Sequence, residues 1–279
     1  MSQVKVVTDS AAELSPQIVE DLGITVVPWQ IRLESETVTD DADFLETRFH
    51  KDLARRGIEP TAVPPDRDQF ARVYQKLASE TDQIVSVHTS SELSTVVQAA
   101  RQGARSLLGR CRVDVIDSLF ISRALGLLVT EVARACEEGA SGSEITRFVG
   151  SLISRIYFAF YTETLDHLKR RGFVRNVRLR ESGLSRSLLL FEDGEIASLR
   201  QSRSRGAPVE RLVDFVTEFQ DIEHLSVVHT GLGPGIEGIS SLLAEDLPDQ
   251  DFEEHIYGPV LSSYIGALAL GVVIFEEAF

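Results

Sequence analysis

Cysteine is almost missing from this chain. Only Cys111 and Cys136 occur, and neither sits in a paired ligand or redox motif. That removes a disulfide framework and a dithiol centre from consideration and points to a reducing cytoplasm. Positive charge is scarce too: 28 Lys and Arg stand against 43 Asp and Glu, a formal net charge of −15. A nucleic-acid footprint needs clustered cations, so that class is excluded, and an anionic membrane surface is disfavoured. The six histidines (His50, His88, His167, His224, His229, His255) form no HExxH or other close pair, so no metal and no cofactor are expected. No GxSxG elbow occurs, and the opening residues lack the basic-then-apolar plan of a signal peptide. From His255 to Phe275 there is no Asp, Glu, Lys or Arg. That stretch is long enough to span a bilayer, but Gly258, Pro259, Ser262, Ser263 and Gly266 interrupt it and its flanks are acidic. It reads as a buried turn, helix and final strand of a protein that does not span the membrane.

What is present is enough for two cores, since the chain has 279 residues and is 43% hydrophobic. The first half repeats a strand-then-helix grammar. A strand at Val4–Val7 exits through Thr8-Asp9-Ser10 to a helix announced by Ser15 and Pro16. A strand over Ile24–Leu33 precedes a helix from Asp43, with Glu46 completing a capping box and Gly57 as its stop. The prolines at 60, 64 and 65 make that segment extended, and Asp66 caps the next helix. Strands at 84–87 and 112–116 each feed a helix, from about Leu93 and from about Ser122. Beyond Ser141 the pattern changes, with an Asp193-Gly194 hairpin that must be antiparallel. The fold class is therefore α/β with two domains. Residues 1–160 form a parallel-sheet, Rossmann-like α/β domain, and residues 161–279 an α+β domain with a mostly antiparallel sheet.

Three strand exits carry acids or hydroxyls: Asp9 and Ser10, Ser90 and Ser91, Asp117 and Ser118. In a parallel sheet the carboxyl ends of the strands line one crevice, so these loops can converge on a ligand. The loop Thr89–Thr95 enters a helix and is a natural seat for a carboxylate or phosphate, though the same hydroxyls also serve as plain caps. Gly233-Pro234-Gly235 with Gly238 matches a dinucleotide fingerprint, but Pro234 removes a donor, and glycines that let backbones pack closely explain it better. The basic run Lys169-Arg170-Arg171 with Arg203 and its neighbours is either a solvated face or a partner surface. A Ser94 nucleophile with His88 or His229 as base would make the chain an acyl-processing hydrolase or transferase.

Eight segments together resemble the DegV family of bacterial fatty-acid-binding proteins: VVTDSAAEL (6–14), VVPWQIRLESETVTDD (26–41), PTAVPPDRDQF (60–70), HTSSELSTVVQAA (88–100), VIDSLFISRALGLLV (115–129), FYTETLDHLKRRG (160–172), LLLFEDGEIASLRQSRSRGA (188–207) and HIYGPVLSSYIGALALG (255–271). The resemblance implies a non-catalytic protein that holds one long-chain fatty acid between its two domains. It also implies a partner kinase, to which the carboxylate is presented for acyl-phosphate formation in phospholipid synthesis. On that resemblance Thr61 keeps the place of a carboxylate-binding threonine, and Ser94, followed by Thr95 and Val96 where the family has Gly and Thr, keeps that of a carboxylate-binding serine. Tyr264 replaces the histidine that helps bind the head group, and Phe173 stands at an arginine position. Lys169, Arg170 and Arg203 fall on the side that would face the kinase. Burying a tail of about sixteen carbons supplies on the order of 10 kcal/mol gross. Head-group contacts therefore set selectivity more than capture. A third reading is a binder of some other apolar molecule, with no kinase partner.

Overall fold

In a computed structural model of the protein, the described residues are 3–41, 47–162, 165–170, 188–198, 207–233 and 235–278, with the side chains of 47, 48, 169, 170 and 198 excepted. The chain divides into two compact units, Met1–Asp43 with Thr61–Ser154 and Phe44–Pro60 with Arg155–Phe279.

The first unit is written in local signals. β1 (Lys5–Asp9) leads through a 3-10 turn, Ser10–Ala12, to α1 (Pro16–Asp21), where Ser15 Oγ accepts the Ile18 N–H and Pro16 opens the helix. The run at 24–33, expected as one strand, is two: β2 (Thr25–Val27) and β3 (Gln30–Leu33), in different sheets. Pro28 has no N–H to give a ladder. Beside it, the backbone and indole N–H groups of Trp29 donate to Ser10 Oγ and Asp9 Oδ1, pinning the chain between the strands. β4 (Glu36–Thr39), which no apolar pattern announces, pairs antiparallel with β3. α2 (Thr47–Arg56) belongs to the second unit, and the capping pair Asp43 and Glu46 expected for it lies outside the described residues. The chain returns as β5 (Thr61–Val63), the extended proline segment, on the free side of β3.

α3 (Arg67–Leu77) starts in a capping box of Asp66 and Gln69. β6 (Gln83–His88) follows, then α4 (Val96–Ala104), β7 (Arg112–Asp117), α5 (Ser122–Glu137) and α6 (Gly142–Ile153). α4 begins at Val96 rather than Leu93, because the N–H groups of Leu93 and Ser94 both donate to the Ser90 carbonyl, at 3.1 and 3.2 Å, and close a turn first. The main sheet is parallel throughout, in the order β2-β1-β6-β7.

The second unit contains α2 and then β8 (Ile156–Tyr161), α7 (Asp166–Arg170), β9 (Leu189–Glu192), β10 (Glu195–Ser198), α8 (Pro208–Val216), β11 (Ile222–His229), α9 (Ile236–Asp246), β12 (Glu253–Ile256), α10 (Pro259–Ile265) and β13 (Leu270–Glu276). Its six-stranded sheet runs β10-β9-β8-β13-β11-β12 and is antiparallel except for β11 and β12. The change of unit falls after Ser154, not near 160, because β8 pairs with β9 and β13. Asp193 and Gly194 both take positive φ, 52° and 83°, as a two-residue hairpin turn requires. Buried His50 ties α2 in place by donating from Nε2 to the Tyr257 carbonyl at 2.7 Å.

One face of this sheet, with Ala159, Val227 and Val272, packs against Leu212, Val216, Ile239 and Leu243 of α8 and α9. The other face carries Phe158, Phe160 and Phe191, whose ring centroids lie 4.8 to 5.8 Å apart. Gly271 pairs with Phe160, and a Cβ there would come within 2.7 Å of the Ala159 carbonyl oxygen. The strand crossing therefore needs glycine. No helix among the described residues is long and apolar enough to cross a membrane.

Candidate functional site

Parallel pairing sets the strand exits level with one another: Val7 pairs with Ser86, and His88 with Asp117. Asp9 therefore ends β1 beside His88 and is fully buried. Its carboxylate accepts five hydrogen bonds, from the Ala11 and Thr89 N–H groups, the Thr89 hydroxyl, the Trp29 indole and His88 Nδ1, all between 2.8 and 3.2 Å. Burial alone would raise its pKa, but the hydrogen bonds and charge of His88, with those of Thr89 and Trp29, hold it below the ordinary carboxylate value. The other ring nitrogen, His88 Nε2, lies 2.7 Å from Ser86 Oγ, which lies 2.8 Å from the Tyr74 hydroxyl. Burial raises the Tyr74 pKa, so the phenol keeps its proton.

This chain has the composition of an Asp-His-Ser triad without its access. Ser86 and His88 have 0% exposure, and both ring nitrogens are engaged. His88 is thus no general base for Ser94. The network instead fixes Thr89, the first residue of the loop leading to Ser94.

The remaining exits tie to one another. The Ser90 N–H donates to the Phe120 carbonyl, the Ser118 N–H to the His88 carbonyl and the Ser91 N–H to the Asp117 carboxylate. Ser118 Oγ accepts from the Phe120 N–H at 3.0 Å. Ser10 Oγ lies 2.6 Å from Asp40 Oδ2 and accepts the Trp29 N–H at 2.9 Å. Burial first, with the nearby charges of Glu13, Asp9 and Asp41, pushes the Asp40 carboxyl up to about 7 against the pull of the Ser10 hydrogen bond. Three residues without glycine's freedom sit here at positive φ: Glu13 (52°), Leu119 (62°) and Ser122 (60°). The Ser122 hydroxyl binds the Glu13 carboxylate and holds two of them together. Strain concentrated in this way is characteristic of sites where position matters more than local comfort. The structure sets these strand exits side by side, but of Asp9, Ser10, Ser90, Ser91, Asp117 and Ser118 it is Ser91 and Asp117 that bind each other, the rest being tied to Thr89, His88, Trp29, Asp40 and Phe120.

On this platform stands the Leu93–Thr95 turn. Ser94 is half-buried, and its Oγ accepts the Val96 N–H at 3.3 Å, leaving the hydroxyl proton to donate elsewhere. Thr95 is exposed and occupies the N-cap of α4 without a side-chain capping bond. The next N–H groups, of Val97 and Gln98, find no acceptor among the described residues. A helix start with free donors and a donor hydroxyl suits a carboxylate. Thr61 is exposed at the head of β5, opposite Arg32. In the second unit Tyr264 is 2% exposed within α10, every residue of which is buried. Thr162 Oγ1 and Tyr257 Oη donate to the Ile265 and Gly266 carbonyls and secure the end of that helix. Phe173 and Arg203, with the side chains of Lys169 and Arg170, lie outside the described residues.

His229, the other candidate base, accepts the Gly231 N–H at Nδ1 and faces the Glu254 carboxylate at 3.5 Å. Of the fingerprint glycines, Gly235 serves packing, since a Cβ there would meet Val209 Cγ2 at 2.5 Å and Tyr161 Oη at 2.8 Å, whereas Gly238 has nothing within 4 Å. No group of three His, Cys, Asp or Glu suited to a metal gathers among the described residues. The sequence reading missed Tyr74, Ser86, Trp29 and Asp40. Ser86 and His88, two polar residues on one face of an apolar strand, carried the signal.

Residues 3–277 match the profile of a family described as "Uncharacterised protein, DegV family". The chain belongs to the DegV family. DegV domain-containing protein TTE1491 of Caldanaerobacter subterraneus is 28% identical over 283 residues, 99% of this chain and 100% of that protein. DegV domain-containing protein YejH of Lactococcus lactis is 35% identical over 206 residues, 72% of each. Among solved structures, a DegV family protein from Thermus thermophilus, described by its fatty acid binding, superposes with a TM-score of 0.82 at 24% identity, covering 99% of this chain and 100% of that one. DegV of Bacillus subtilis, described as a fatty acid binding protein, gives 0.84 at 21% identity with the same coverage. A stearic acid-binding protein from Eubacterium ventriosum gives 0.82 at 18% identity, covering 98% of both chains. The DegV fold is thus common to this chain and to proteins described as holding fatty acids.

Proposed function

We propose that this DegV chain binds a long-chain fatty acid and acts as a lipid-binding protein rather than an enzyme. The observation that carries the reading is the α4 entrance, where, among the described residues, the Ser94 hydroxyl proton and the N–H groups of Val97 and Gln98 meet no acceptor. Family membership and the descriptions of the fatty-acid-binding relatives support it. Ser94, Thr95 and Thr61 donate to the carboxylate, and Tyr264 supplies a phenol where a cation would otherwise stand. The loops of Asp9, Ser10, Ser90, Ser91, Asp117 and Ser118 hold these donors in place. The finer part of the proposal is that the bound carboxylate is presented to a partner kinase and becomes an acyl phosphate, with Lys169, Arg170 and Arg203 on the kinase-facing side.

Mass spectrometry of the purified protein should find a co-purified fatty acid. Delipidated protein should bind palmitate more tightly than its methyl ester. A charge-assisted hydrogen bond is worth about 1.5 to 3 kcal/mol, so Ser94→Ala should weaken palmitate binding by about tenfold or more and leave the ester unaffected. Equal affinity for acid and ester would overturn the carboxylate assignment. With Tyr264 as a neutral donor, palmitate affinity should stay flat from about pH 5.5 to 8. A steep loss across that window, absent in Tyr264→Phe, would defeat the role given to Tyr264. The kinase step is tested by adding ATP and host extract to the loaded protein and trapping acyl phosphate with hydroxylamine.

A further inference from the structure

In a chain of net charge −15, the stretch between Glu92 and Asp114 has no acidic residue and contains four arginines: Arg101, Arg105, Arg110 and Arg112. The fold gathers all four around a groove of about 670 Å³ between the C-terminal end of α4 and β7. Arg101, Arg105 and Arg110 are exposed and join no ion pair or side-chain hydrogen bond among the described residues. Arg112 alone is neutralised, by Asp114 at 2.8 Å. Leu108, on the rim, is 80% exposed, one of only two large apolar side chains left in solvent among the described residues.

The floor of the groove is a strand with one free side among the described residues, where β7 is the last strand of its sheet and pairs only with β6. None of its six residues is buried. The Asp114 carboxylate lies beside Gly142 of α6, so by strand alternation Val113 and Val115 point to the opposite face, toward α4 and the groove. An edge strand protected only against aggregation carries its charge on the strand itself, as Arg112 and Asp114 do. The three unpaired arginines lie off the strand and around the groove.

We propose that this groove takes up an extended acidic segment of another protein, added to the sheet as a further strand beside β7. Its carboxylates would answer Arg101, Arg105 and Arg110, and its alternate apolar side chains would cover Leu108, Val113 and Val115. A second copy of this chain is the poorer occupant, because pairing β7 with itself about a two-fold axis would bring the arginine sets together. The proposal is independent of what the DegV site binds.

The test uses the full chain and fluorescein-labelled octapeptides alternating Glu with Val or Leu. A control set has the same charge, with proline at every apolar position so that it cannot pair as a strand. Anisotropy should show binding of the first set that weakens with salt. Binding should fall by at least about tenfold in Arg105→Glu/Arg110→Glu, a surface variant whose circular dichroism should match the parent. Hydrogen exchange should slow at the amides of residues 112–117 when the peptide is bound. The proposal fails if no peptide binds, if the proline set binds equally well, if the variant binds unchanged, or if residues 112–117 gain no protection. Tighter binding of a thymidine oligonucleotide of equal charge would also overturn it.

Discussion

Asp9 and Asp40 are buried carboxyls joined through Ser10 and Trp29, yet they come to opposite states. Asp9 collects five donors and stays charged. Asp40 has the Ser10 hydroxyl and a ring of like charges, and its pKa is pushed up to about 7. Donor count decides, since burial penalises both. Between the unfolded carboxylate value, near 4, and about 7, the folded protein holds a proton at Asp40 that the unfolded chain has released. Stability attributable to this group therefore falls by about 1 kcal/mol per pH unit as pH rises through that window, and levels off above it. Asp40→Asn should flatten that slope and make the protein more stable than the parent at pH 8, measured by urea unfolding across the range. Parallel pH profiles for parent and variant would contradict the assignment. At this scale the sequence was half readable. Asp9 and Ser94 were visible as polar residues at strand exits, whereas Asp40 follows a strand with no apolar pattern and Tyr74 looks like an ordinary core aromatic.

At the scale of elements, two helical glycines predict opposite signs. Gly126 lets α5 rest on the Ser10–Ala12 turn, and a Cβ there would sit 2.5 Å from the Ala12 carbonyl oxygen. Gly126→Ala should destabilise by about 1 to 3 kcal/mol, because that backbone carries Ser10 and cannot yield cheaply. Gly150, within α6, has nothing within 4 Å of its Cβ position. Gly150→Ala should stabilise by up to about 1 kcal/mol through helix propensity alone. Thermal melts of the two variants check both, and equal shifts would refute the packing argument. Elements with short-range signals were legible: the Ser15-Pro16 cap, the Asp66 cap, the Asp193-Gly194 hairpin and the parallel βα units. The break at Pro28-Trp29 and the small sheet of β3, β4 and β5 were not. Their cause is contact with Asp9 and Ser10 and pairing across about thirty residues, neither of which leaves a periodic trace.

For the whole molecule, the decisive fact is that the second unit is not continuous in sequence. Residues 44–60 supply α2, the buried Leu53 and Ile58, and the His50 donor for the Tyr257 carbonyl. A fragment of residues 155–279 would leave that carbonyl without this donor, at about 1 to 3 kcal/mol, and would expose the apolar surface those side chains cover. It should bind a hydrophobic dye and melt without cooperativity. Joining residues 44–60 ahead of it through a Gly-Ser linker should restore a sharp transition. A fragment that melts cooperatively without them would show α2 to be dispensable.

The same layout has a consequence during synthesis. Residues 44–60 leave the ribosome roughly two hundred residues before Tyr257, whose carbonyl His50 meets, an interval of about 10 to 40 s at ordinary elongation rates. The first unit is completed within that time. The nascent chain must carry an amphipathic helix without its second-unit partners for longer than Asp9 waits for His88 and Thr89, which follow about eighty residues later. The segment that makes the second unit whole is thus also the part most exposed to chaperones and to wrong partners before the chain is finished.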